Sequence, residues 1–227
     1  PSWSADGTSI AYSSRHITGL PRLYELDLET MLDKPLDAGR TGDHNTPAYS
    51  PNGRDLAFSI TGGNRSGIFY YDFERECCLT HVSGGRWDDI SPTYSPDGRW
   101  LAFIRGTSSS GAPPALGFAA SVDGRNWDYF DENPIIHQKD GGGRDGVYRP
   151  GFLGWLGKDD AGKDKYLVAW EESHHFDGDA RLIFGTTTDF KTVTRDPRGH
   201  VKWQGSAGAI SAWREGDRLY LFSGKFV

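Results

Sequence analysis

An all-β fold built from repeated four-stranded antiparallel units is the architecture this sequence predicts, and three observations predict it. First, one phrase is written three times: PSWSADGTSIAY at residues 1–12, PAYSPNGRDLAF at 47–58 and PTYSPDGRWLAF at 92–103. A spacing of roughly 45 residues belongs to propellers and arrays. Second, each copy reads as a strand, an Asp-Gly or Asn-Gly turn and a second strand of alternating apolar residues. Gly7, Gly53 and Gly98 supply the positive φ such a turn needs. Third, 30 glycines, 12 prolines and 8 tryptophans suit many short strands and turns with large rings packed between sheets. The prediction is a β-propeller of about five blades, the last one incomplete.

The phrase Pro-x-Tyr/Trp-Ser-Pro-Asp-Gly followed by Leu-Ala-Phe resembles the repeat of TolB-type β-propellers over about residues 1–105. That resemblance implies outer strands at Leu23–Leu28 (LYELDL) and Lys34–Leu36 in the first copy. In the second copy it implies them at Ile68–Phe73 (IFYYDF) and Cys78–His81 (CLTH). It implies architecture, and a periplasmic or extracellular location, but no activity, because one propeller scaffold carries many.

From about residue 110 the wording changes. Phe118–Trp127 (FAASVDGRNW) runs into Asn133-Pro134-Ile135-Ile136, and Phe184–Val193 (FGTTTDFKTV) follows some fifty residues on. With the strands Lys165–Trp170 and Arg218–Phe222, this stretch resembles the five-bladed glycosidases of the arabinanase, β-xylosidase, invertase and levansucrase type. The expected blades are about 1–40, 45–84, 90–138 and 148–198, with a half blade at 205–227 in one propeller domain. Two outer strands are absent from that count. The chain is therefore expected to be a fragment, a recombined or engineered piece, or one whose fifth blade is completed by another copy or a partner.

Composition narrows the partners. The net charge is −6, from 25 Lys and Arg against 31 Asp and Glu, and no basic stripe is present, which argues against nucleic acid. No apolar run is long enough to span a bilayer. The two cysteines, Cys77 and Cys78, are adjacent, so they form no disulfide framework. On a strand they point to opposite faces as packed thiols; a vicinal disulfide or a metal pair is the alternative.

Propeller geometry says where chemistry would gather. The start of each inner strand and the loop after the second strand share one face, around the channel. The predicted inner-strand starts carry His44 and Asn45, then Trp87, Asp88 and Asp89, then Tyr148 and Arg149. The loop after the fourth blade's second strand carries Glu171, Glu172, His174, His175 and Asp177. That loop is read as a sugar-contacting or catalytic loop, a divalent-metal site at His174 and His175, or a solvated acidic loop. No strong metal motif is present, and no cofactor is expected. Asp88 and Asp89 are read either as acid-base carboxylates or as residues capping the blade junction.

The glycosidase resemblance implies a base, a supporting Asp and an acid Glu on successive inner strands. Asp89 matches one such place, Asn45 is read as its equivalent in the preceding blade, and Arg149-Pro150 stands where the family has Asp-Pro. No Glu lies in Gly208–Trp213, so the triad is not reproduced. The leading expectation is a carbohydrate-binding or glycoside-hydrolase-like propeller. In it Asp88, Asp89, Glu171 and Glu172 would be the catalytic candidates; His44, Asn45, Trp87, Tyr148, Arg149, His174, His175 and Asp177 would contact a glycan or oligosaccharide. The alternatives are a non-catalytic TolB-like protein-interaction propeller and a chimera without evolved activity. Trp3, Trp100, Trp155, Trp170 and Trp213 are expected to pack between blades.

Overall fold

A computed structural model describes residues 1–16, 19–36, 39, 41–62, 66–75, 77–84, 88–105, 115–131, 133–137, 146–173, 180–202, 207–216 and 218–225. All regular structure in it is β. The first sheet holds β1 (Ser2–Trp3), β2 (Ser9–Ser14), β3 (Arg22–Asp27) and β4 (Asp33–Leu36). The second holds β5 (Asp43–Tyr49), β6 (Asp55–Thr61), β7 (Gly67–Asp72) and β8 (Cys77–Gly84). The third holds β9 (Asp89–Tyr94), β10 (Trp100–Arg105), β11 (Ala115–Ser121) and β12 (Trp127–Tyr129). The fourth holds β13 (Gly146–Lys158), β14 (Asp164–Ser173), β15 (Ala180–Thr187) and β16 (Thr194–Lys202), and β17 (Ala207–Glu215) pairs with β18 (Arg218–Lys225). Within every sheet the strands pair in chain order, each antiparallel to the next. This is the four-stranded blade of a β-propeller, with the fifth sheet two-stranded. No helix long and apolar enough to cross a membrane occurs among the described residues.

The repeated phrase folds the same way each time because its serine and its Asp or Asn close the turn together. Ser95 Oγ donates to Asp97 Oδ1 at 2.5 Å and accepts from the Trp100 amide at 3.0 Å, while Asp97 Oδ1 accepts from the Arg99 amide at 3.1 Å. Ser50 and Asn52 repeat the bracket around Gly53, and Ser4 and Asp6 repeat it around Gly7. The three glycines stand at φ of 70, 71 and 73°. The second half uses the same chemistry one hairpin further out. Ser121 and Asp123 bracket the β11–β12 turn, and Thr187 with Asp189 bracket the β15–β16 turn.

Between turns, apolar faces meet in seams. Leu23, Leu36, Leu56, Phe58 and Ile60 fill the joint between the first two sheets. Ala57, Ile68, Tyr70, Leu101 and Phe103 fill the next, and Leu116, Phe118, Val168, Trp170 and Phe190 the one after. A middle strand is covered on both sides, which is why β6 and β7 are buried almost throughout rather than at alternate positions. Trp170 is fully buried and Trp100 packs against Phe190 at 4.3 Å, as expected of joint residues. Trp3 and Trp155 do not: they are 62% and 50% exposed, Trp3 at the place from which Tyr49 and Tyr94 face the preceding sheet, and Trp155 near the turn end of β13. The side chains of Trp213, Cys77 and Cys78 lie outside the described residues.

In the third sheet the strand role of β12 is continued by Asn133–Ile136. Asn133 joins Phe118 twice, accepting from its amide at 2.9 Å and donating to its carbonyl at 2.8 Å. The peptide before Pro134 is cis. Gly117 lies beneath this segment, and a Cβ there would come within 2.4 Å of Phe103 Cε2. Gly117→Ala should therefore cost about 1–3 kcal/mol, read as a lower urea midpoint with unchanged slope.

Candidate functional site

The channel face is fixed by strand direction. Asp43 opposes Thr61, Asp89 opposes Arg105 and Gly146 opposes Ser173, so three inner-strand starts and three second-strand ends share one end of the blades. The start of β5 and of β9 carries the same irregularity. Thr46 and Ser91, each just before a proline, adopt φ of 48 and 55°, and the pairing register shifts beside them. A left-handed Thr is a costly conformation that a bulge holds in place. Thr46 Oγ1 shares a hydrogen bond with Ser59 Oγ at 2.8 Å and accepts from the Ser91 amide at 3.3 Å, tying the two bulges across the blade joint.

The register corrects one expectation. Counting back from Pro47 and Pro92, the counterpart of Asp89 is His44, not Asn45; His44 opposes Ile60 as Asp89 opposes Arg105. In the fourth sheet the same step back from Pro150 gives Val147, opposite Glu172. These positions are buried, and they close the channel end of the blade joints. His44 packs on Phe58 at 5.6 Å, facing the first sheet, and its carbonyl accepts from Ser13 Oγ at 2.7 Å. Asn45 is half-buried, with its Oδ1 3.3 Å from the same hydroxyl.

Asp89 is fully buried between the second and third sheets, 3.4 Å from Arg105 Nε. Arg105 also donates to the Asn133 carbonyl at 2.8 Å and lies 5.1 Å from the Tyr129 ring centre. Burial pushes the Asp89 carboxyl up to about 6, against the downward pull of Arg105 and the Ser83 hydroxyl. Glu172 is buried in the next joint. It accepts from Trp170 Nε1 at 2.9 Å and from Arg195, whose guanidinium lies 5.3 Å from the Trp170 ring centre. Trp170 and Arg195 also line a groove of about 550 Å³ between Ile135–Ile136 and the start of β16.

Glu171 and Glu172 are neighbours on β14 and point to opposite faces. Glu172 shares the face of Val168 and Trp170, toward the third sheet, whereas Glu171 shares the face of Ala169. The fold therefore brings Asp88, half-buried, together with Asp89 and Arg105, and separates Glu171 from Glu172. Tyr148 and Arg149 lie on β13 with side chains outside the described residues, and Trp87, His174, His175 and Asp177 lie outside them altogether. No group of three metal-ligating side chains occurs among the described residues. Sequence reasoning missed Arg105 and Arg195. The visible signal for the first is a cation ending the apolar run WLAFI.

Removing one partner of a buried pair leaves the other charge uncompensated. Arg105→Met should destabilise by about 3–5 kcal/mol, and Asp89→Leu added to it should recover most of that loss, as measured by urea unfolding. A pH profile follows from the carboxyls. Asp55 and Asp89 sit near 6 in the fold, both raised mainly by burial, against 3.8 ordinarily. Their stabilising contribution is complete below 3.8 and is lost as pH rises through 6. Asp6 and Asp196, held near 2 by hydrogen bonds led by Ser4 and by Arg198, act oppositely and lose theirs as pH falls below 3.8. The thermal midpoint should thus be higher at about pH 5 than at about pH 7.5, and should fall again toward about pH 2.

Among solved structures the chain is similar to TolB from Acinetobacter baumannii, with 19% identity and a TM-score of 0.56 over 98% of this chain and 51% of that one. It thus spans about half the length of that protein. A chain of a nidogen–laminin complex matches with a TM-score of 0.58 and 11% identity, over 98% of this chain and 70% of that one. A glycoside hydrolase matches with a TM-score of 0.55 and 11% identity, over 90% of this chain and 73% of that one. No protein-family model and no curated protein matches the sequence. At these identities the likenesses establish the β-propeller fold.

Proposed function

We propose that this propeller binds carbohydrate on its channel face and does not hydrolyse it. One observation carries the second half of that reading: of the four candidate carboxyls, Asp89 and Glu172 are each closed into a blade joint by an arginine and Glu171 is buried on the other face of β14, which leaves Asp88 alone of the four at the channel rim. Inverting hydrolysis needs two carboxyls about 6.5–9.5 Å apart across an open site with room for water. Buried carboxylates on opposite sides of the third sheet do not meet that requirement. The ligand class is supported by the half-buried or exposed polar groups at the channel end, Asp43, Asn45, Thr46 and Asp88, whose short side chains suit hydroxyl-rich ligands. The glycosidase-like wording of the second half supports it as well. The periplasmic or extracellular location, and completion of the β17–β18 sheet by another chain, belong to the same proposal.

A glycan array followed by a reducing-end assay on each bound sugar tests it. Binding without release of reducing ends is expected, weakened roughly tenfold by Asp88→Ala at the channel rim. Turnover abolished by Asp89→Asn would establish an enzyme instead. Binding of peptides and of no glycan would establish the protein-interaction alternative.

A further inference from the structure

A second cavity lies at the opposite end of the blades, where the second and third sheets meet. It encloses about 380 Å³, a volume suited to a small ligand. Three turns wall it: Ser50–Asn52, Pro96–Arg99 and Val122–Gly124. Its buried lining residues are Asp55, Ser50 and Tyr94, 3%, 5% and 9% exposed. Asp55 Oδ1 and the Tyr94 hydroxyl are buried there without a hydrogen bond to any described residue. Buried polar groups in folded proteins are nearly always met, so two such groups lining one cavity point to a partner there.

The chain's own repeats serve as internal controls. Tyr49 is the counterpart of Tyr94 one repeat earlier, and its hydroxyl donates to Glu25 Oε1 at 2.5 Å. Glu25 lies opposite Ala11; the residue opposite the equivalent Ala57 is Tyr70, whose hydroxyl is committed to the Arg125 carbonyl at 3.0 Å. The acceptor that satisfies Tyr49 is therefore missing beside Tyr94. Asp55 is equally peculiar to this joint, since Ser9 and Trp100 hold its place in the other copies. Arg125 and Arg54 lie within electrostatic reach of Asp55, but both guanidinium groups hydrogen-bond to Glu74 rather than to Asp55 Oδ1. Asp72 stands 3.6 Å from both Arg75 and Arg125, and Glu74 accepts from Arg54 and Arg125 at 2.9 Å each. On the cavity wall Asp97 and Asp123 face a single cation, Arg99, which pairs with Asp164 at 3.7 Å.

We propose that this cavity binds a primary ammonium group, with the Asp55 carboxylate as its counter-ion and the Tyr94 oxygen as a second acceptor. An ammonium brings three donors and a compact charge to a site that offers acceptors and excess negative charge. Pro51, Pro96 and Val122 at the wall give its alkyl stem an apolar path. A free amine and a partner protein's lysine share this chemistry.

Titration of the full chain, followed by the amide resonances of Gly53, Gly98 and Gly124, tests the site. The probes are n-butylammonium, a lysine-bearing peptide and the same peptide acetylated at Nζ. Saturable shifts with n-butylammonium are expected if the natural ligand is a free amine, and with the lysine peptide alone if it is a partner's side chain. Asp55→Asn should weaken either by roughly tenfold or more, the loss of one hydrogen bond to a charged group. Tyr94→Phe, which removes only an unmet hydroxyl, should weaken it less and serves as the second variant if Asp55→Asn folds poorly. The proposal is overturned if neither ammonium probe saturates, if the acetylated peptide binds equally well, or if binding survives both substitutions.

Discussion

The joint between successive blades is the constraint on which this structure depends. A four-stranded sheet this small has two faces to cover, and each blade covers one face of the next. The apolar middle of each joint is ordinary, with Leu56, Phe58 and Ile60 against the first sheet and Leu101 and Phe103 against the second. The ends of a joint are harder, because strands there carry polar residues toward turns and loops. At the channel end the chain closes one joint with His44 on Phe58, the next with Asp89 and Arg105, and the next with Glu172, Trp170 and Arg195. A buried ion pair of this kind gives little net stability but is costly to break, so it fixes how blades register rather than how tightly they adhere.

That role competes with catalysis for the same side chains. A general acid or base must reach substrate, whereas Asp89 is fully buried behind an arginine that also holds the Asn133 carbonyl. The polar groups left at the channel end are the bulged residues Thr46 and Ser91 and their neighbours, which suit binding. At the far end of the second joint, Asp55 Oδ1 and the Tyr94 hydroxyl are buried without a hydrogen bond to any described residue.

The turns were legible because their chemistry is local. Ser50, Asn52 and Gly53 sit within a few residues and make the same hydrogen bonds wherever the phrase recurs. The seams were legible from alternation in the strands. The joint closures were not, because Arg105 and Asp89 meet through a register that no short motif encodes. One residue of slip separates His44, which enters a joint, from Asn45 beside it. The exposure of Trp3 and Trp155 was hidden for a related reason: it depends on which neighbouring side chains cover each ring in the fold, which composition does not record.

The central claim is that Asp89 belongs to the blade joint rather than to a reactive surface. Carbon-detected NMR titration of its carboxyl group in the intact protein tests that directly. Enclosure beside Arg105 predicts a midpoint near 6, raised by burial. A midpoint at or below the ordinary value of 3.8, with the carboxyl resonance responding to added solvent paramagnet, would place Asp89 in open water and contradict the account.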